Sequence, residues 1–164
     1  MSVPVPFTRY PAGEVAYQAL WWAIVALPAA FVGLRLFTDI GGVFFLYAVV
    51  GIPATIALQV VAGLVAWTYR KRQWRHFLGP VATWLSAAYY AAWLVLALVM
   101  PDHTQGAAVP APLGRLLGPD GADVATGILM VSIVLLYLAL LAAVVVEGTR
   151  AVRRLGDDPR PTVT

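Results

Sequence analysis

The sequence predicts an all-α membrane protein, a four-helix transmembrane bundle with both termini cytoplasmic. Three observations carry that prediction. Hydrophobic residues make up 61% of the 164 positions against 12% charged, with a mean hydropathy of +0.81. That is more apolar side chain than one soluble core of this size can hide. The apolar residues also gather into runs close to the ~20 residues that carry a helix across hydrocarbon about 30 Å thick. Finally, the arginines are concentrated in alternate connections between those runs.

The first run, about 17–37, reads "YQALWWAIVALPAAFVGLRLF". About fifteen mostly uncharged residues precede it and its apolar stretch exceeds a signal-peptide core, so it is expected to remain as the first helix. The second, about 42–68, is long enough to be tilted or partly interfacial. The third is about 80–100 and the fourth about 124–146. In lipid every backbone polar group must be satisfied within its own segment, which makes each run a helix. Continuous rather than alternating hydrophobicity excludes an outer-membrane barrel. Residues 1–155 thus form a single domain, and "GDDPRPTVT" after a helix stop at Gly156 is expected to be a disordered cytoplasmic tail over 156–164.

Orientation follows from charge. The connection between the second and third runs holds Arg70, Lys71, Arg72 and Arg75, and the C-terminal segment holds Arg150, Arg153 and Arg154. The loop 101–123 has only Arg115 against Asp102, Asp120 and Asp123, while Arg35 and Asp39 cancel in the first connection. The positive-inside rule places both arginine-rich segments in the cytoplasm. Trp67, Tyr69, Trp74 and Trp84 flank the basic loop, where an interfacial aromatic belt belongs. The stretch "YRKRQWRHFLGP" therefore reads as a topology anchor, with a grip on anionic lipid head groups as its sharper alternative. No larger basic surface supports nucleic-acid binding. Lys71 is the sole lysine beside ten arginines in a chain rich in Ala, Val, Gly and Pro. That bias suggests a bacterial source, and hence the cytoplasmic (inner) membrane with a multi-pass topology.

Several chemistries are disfavoured. The absence of cysteine removes disulfides and thiolate ligands. His76 and His103 both lie outside the apolar runs, which argues against a bis-histidine haem. No phosphate-binding glycine loop or zinc-type spacing occurs, so no cofactor or metal is expected and an enzyme is disfavoured.

The remaining candidates lie within or beside the spans. Arg35 stands four residues before Asp39, a spacing that pairs them on one helix face, or that builds a gate or anionic-ligand contact at the mouth. Glu147 is expected to pair with Arg150 or with the basic loop. Gln59, with Thr55, Thr83, Ser86, Ser132, Tyr89, Tyr90 and Tyr137, is expected to supply interhelical hydrogen bonds. Pro28 and Pro53 each remove a backbone donor at a similar depth, about 15 Å from the same bundle end, and paired kinks there would open a cavity. Pro28, Arg35, Asp39, Pro53 and Gln59 are thus the candidate cavity or gate residues. Ala26 and Ala30, Ala29 and Gly33, Ala62 and Ala66, Ala87 and Ala91, and Ala88 and Ala92 form four-residue small pairs that let helices approach closely. The loop 101–123 is expected to be solvated and irregular, apart from a short interfacial turn at "PLGRLLG".

Short loops and a mid-bilayer free of charge favour a non-enzymatic accessory or interaction subunit of a membrane complex. Its partners would be the bilayer, including anionic lipids, and either another membrane protein or further copies of itself. The alternative is a small solute transporter or channel with a cavity at Pro28 and Pro53. A membrane enzyme ranks third, since it needs acidic or histidine side chains converging at one interface.

Overall fold

The structure, a computed structural model, describes residues 11–36, 41–73, 78–104, 107–109 and 111–157. Helix α1 spans Pro11–Leu36. A short α2, Gly42–Leu46, continues through one π-helical turn, Tyr47–Gly51, into α3, Ile52–Gln73. Helix α4 is Pro80–Val99 and α5 is Gly114–Asp157. Between them lie strands β1, Asp102–Thr104, and β2, Ala107–Val109. Four helical stretches are long and apolar enough to cross a membrane, in agreement with the predicted helical membrane fold.

The helix ends outrun the apolar runs for local reasons. Pro11 suits a first helical position, and Glu14 places a carboxylate in the first turn of α1, where the helix dipole favours it. Helix α3 runs on through Arg70, Lys71, Arg72 and Gln73, all good helix formers. In α5, Gly118 adopts φ 72° and ψ 168° and breaks the helix into a short piece, 114–117, and a long one starting at Pro119. The short turn expected at "PLGRLLG" is that helical piece. The rest of the loop is more ordered than the sequence suggests: β1 and β2 pair antiparallel, with Asp102 opposite Val109 and Thr104 opposite Ala107.

The π-helical turn lies directly before Pro53. The Ile52 N–H reaches back to the Tyr47 carbonyl, so the turn carries one extra residue. Gly51 is required there, because a Cβ would fall 2.2 Å from the Tyr47 ring.

Helix α1 packs on α3 and α4, and α5 packs on the same two helices. Although consecutive in sequence, α3 and α4 are therefore diagonal in the bundle. The core runs through Leu20 of α1, Ala62 and Ala66 of α3, Tyr89 and Leu96 of α4, and Leu140 of α5. Small residues act as the sequence anticipates at Ala62 and Ala66, both buried; the structure adds Gly63, where a Cβ would come 3.3 Å from the Trp21 ring. The outward faces are apolar, with Trp22 and Trp84 each 75% exposed. Such faces need hydrocarbon as solvent.

The bundle has two distinct ends. At one, the Leu78 N–H donates to the Gly13 carbonyl at 3.0 Å, and Gly148 of α5 lies against Tyr69 of α3. The start of α1 and the end of α5 meet there, so it is the termini end. Backbone at Arg70, Lys71 and Arg72 and at Arg150, Arg153 and Arg154 lies towards this same end. The opposite end carries the β1–β2 pair and is the hairpin end. Arg75 and Asp39 lie outside the described residues.

Candidate functional site

Two carboxylates clamp the ends of the bundle. At the hairpin end Asp102 is only 1% exposed. Its Oδ2 accepts the Gly41 N–H at 3.0 Å and the Phe44 N–H at 3.3 Å. These donors open the second spanning segment, where a helix start leaves N–H groups without intrahelical partners and favours negative charge. Asp102 therefore caps α2 from across the bundle, which is why it is buried rather than solvated as expected. Arg35, also buried, donates from Nη2 to the Met100 carbonyl and sits over the Phe31 ring at 5.6 Å, with Asp102 as an attractive charge nearby. Arg35 and Asp102 together tie α1, the start of α2 and the end of α4.

At the termini end Glu147 of α5 does the equivalent for α4. Its Oε1 accepts the Val81 N–H and its Oε2 the Ala82 N–H, both at 3.1 Å. No ion pair with Arg150 forms among the described residues, so that half of the expected pairing fails, while the basic-loop side chains lie outside the described ones. The carboxylate fits because position 79 is glycine: a Cβ there would lie 2.2 Å from the Glu147 Cδ.

Between the clamps lies a polar aromatic centre around Tyr89, which is fully buried on α4. Tyr90 and Tyr137 approach it with ring centroids at 5.7 and 5.8 Å, and Trp93 at 6.5 Å. Gln59 and Trp93 lie beside its hydroxyl, and Tyr47 with Thr55 adjoins the group. No hydrogen bond of normal geometry joins them: the Tyr89 and Tyr47 hydroxyls, the Trp93 Nε1 and both amide atoms of Gln59 are buried without partners. The expected interhelical bonding is realised at Tyr137, whose hydroxyl donates to the Leu58 carbonyl at 2.7 Å. The smaller hydroxyls bond within their own helices instead. Thr55 donates to the Gly51 carbonyl, Thr83 to Gly79, Ser86 to Thr83 and Ser132 to Ile128. For Ser and Thr a carbonyl three or four residues back is always in reach.

The prolines take up different surroundings. Pro28 is buried and lines an open groove of about 320 Å³ between α1 and α3, together with Ile24, Ala29, Val32, Ile52 and Ile56. Pro53 is exposed and does not line it. The groove faces outward and every lining side chain is apolar. Arg35 sits at the hairpin end and Gln59 in the aromatic centre, so neither reaches the groove. Of the other small residues, Ala26, Ala29, Ala87, Ala88 and Ala91 are exposed on the outer surface.

Among the described residues no group of three or more His, Asp or Glu side chains could hold a metal ion. No family model, curated protein or solved structure matches this chain.

Proposed function

We propose that this chain is a non-enzymatic subunit of a membrane complex, lodging a transmembrane helix of another membrane protein in the groove along Pro28. The observation that carries the reading is the lining of that groove. Ile24, Val25, Pro28, Ala29, Val32, Ile52 and Ile56 offer shape and no polar group, as helix packing in lipid requires. Pro28 also leaves the Ile24 carbonyl without its helical donor, giving an incoming Ser or Thr side chain one polar point to meet. Ala29, exposed in the groove lining, is small enough to admit close backbone approach. The termini are cytoplasmic in this proposal, in a bacterial inner membrane, with Arg70, Lys71, Arg72, Arg75, Arg150, Arg153 and Arg154 anchoring that side to anionic head groups.

A photo-crosslinking side chain at Ala29 or Ile56, set against one at the exposed Val131 of α5, tests the proposal in the native membrane. A single protein crosslinked from both groove positions and not from Val131 is expected. Lipid adducts alone at all three positions would remove the docking role.

The transporter reading draws on a separate observation, the unpartnered Gln59 amide beside Tyr89. In that reading the aromatic centre opens and Gln59 meets a polar solute. It requires Gln59→Leu to abolish uptake while leaving the bundle folded.

A further inference from the structure

We propose that the cavity beside the helix break at Gly118 binds a zwitterionic lipid head group, with Arg115 taking its phosphate and Asp123 its ammonium. The cavity measures about 330 Å³ and is walled by Pro101, Gly118, Pro119 and Ala122, with Arg115 and Asp123 also lining it. Its volume lies at the lower end of the roughly 300–1,000 Å³ of small-molecule sites, suited to a head group rather than a whole lipid.

The chemistry is specific. Arg115 and Asp123 carry opposite charges on one cavity, yet no ion pair joins them and neither has a charged partner among the described residues. Two opposite charges that line a common space without closing on each other match a ligand bearing both signs. A purely anionic ligand would meet Asp123 as a like charge. The walls hold this separation. Gly118 takes its positive φ at the break and Pro101 and Pro119 are conformationally fixed, so the two charged residues sit on different helical pieces.

The surroundings select a lipid over a soluble zwitterion. Leu116 is 82% exposed and Leu117 half-exposed on the short piece 114–117, next to the cavity. Val124 and Ile128, exposed on the long piece, continue the apolar surface from the cavity along α5. A phosphatidylethanolamine molecule can set its head group between Arg115 and Asp123 while its acyl chains cover these side chains.

The test uses the full chain in detergent, titrated with phosphatidylethanolamine or with phosphatidylglycerol of the same acyl chains, with bound lipid read by native mass spectrometry. Phosphatidylethanolamine is expected to bind about tenfold more tightly, the equivalent of one charge-assisted hydrogen bond. Arg115→Gln should weaken both lipids, whereas Asp123→Asn should weaken phosphatidylethanolamine alone and erase the preference. Both side chains are exposed, and an unchanged melting temperature checks that the variants fold. Equal binding of the two lipids overturns the proposal. So does an Asp123→Asn variant that keeps its preference, since Asp123 would then serve only the start of the helix. Free phosphoethanolamine binding as tightly as the lipid would reassign the cavity to a soluble zwitterion.

Discussion

The clamp at Glu147 makes a quantitative demand on two residues far apart in sequence. Glu147→Ala removes both acceptors of the Val81 and Ala82 N–H groups. A hydrogen bond to a charged group contributes about 1.5–3 kcal/mol when buried, and a lost helix cap costs about 0.5–2. One of the two bonds is solvent-exposed, so the lower values apply and the loss should be about 2 kcal/mol. Gly79→Ala should reach nearly the same loss by another route. Its Cβ would sit 2.2 Å from the Glu147 Cδ and 2.3 Å from Oε2. A carboxylate on a flexible stem gives way first, and the cap is lost with it. The two substitutions therefore remove one interaction. Together they should cost about 2 kcal/mol, whereas independent sites would sum to about 4. Reversible unfolding of the parent and the three variants in mixed detergent micelles measures all corners of this cycle. Additive losses, or a Gly79→Ala variant as stable as the parent, would refute the capping argument.

Other outcomes follow from the same structure. Asp102→Asn should destabilise by about 2–4 kcal/mol, because it strips charge from a buried group facing Arg35, and Arg35→Met should recover part of that loss in the double variant; denaturation midpoints decide. Gln59→Leu should be neutral or stabilising by about 1 kcal/mol, since the amide beside the Tyr89 hydroxyl makes no hydrogen bond of normal geometry. A loss of several kcal/mol would mean that the amide is bonded in the membrane. Gly51→Ala, whose Cβ would strike the Tyr47 ring, should cost about 1–3 kcal/mol and lower the melting temperature. Replacing Arg70, Lys71, Arg72 and Arg75 by glutamine should weaken the orientation bias, scored by reporter fusions at the C-terminus. Intact orientation together with loss of a bound anionic lipid would make the segment a lipid site in place of an anchor.

The spans were legible because hydrocarbon imposes one simple rule, and a run of apolar residues states it directly. Pro80–Val99 matches its predicted run almost to the residue. The clamps were not legible, since which N–H a carboxylate reaches depends on how helices meet. Sequence spacing pointed Glu147 at Arg150, one turn away, yet the bundle sets it against the start of α4. Asp102 sits in a Pro- and Gly-rich loop, the usual mark of solvent, and its burial comes from the start of the second spanning segment 61 positions before it. A weak signal existed in both places: a lone acid at the edge of an apolar span, with a helix start that has no polar cap of its own. The π-helical turn was hidden too, because Pro53 announces a kink without saying how the helix absorbs it. Similarly, equal depth suggested that Pro28 and Pro53 shared a cavity, but depth does not fix rotation about the helix axis, and Pro53 faces outward.

The accessory role is tested most directly by native mass spectrometry of the chain extracted gently from its own membrane without added lipid. A stoichiometric complex with a second membrane protein is the predicted result, and occupancy of the groove should fall when Ala29 is replaced by Trp. A chain that emerges alone or only with copies of itself, carrying a small polar solute, would contradict the account and move the function to the aromatic centre at Gln59 and Tyr89.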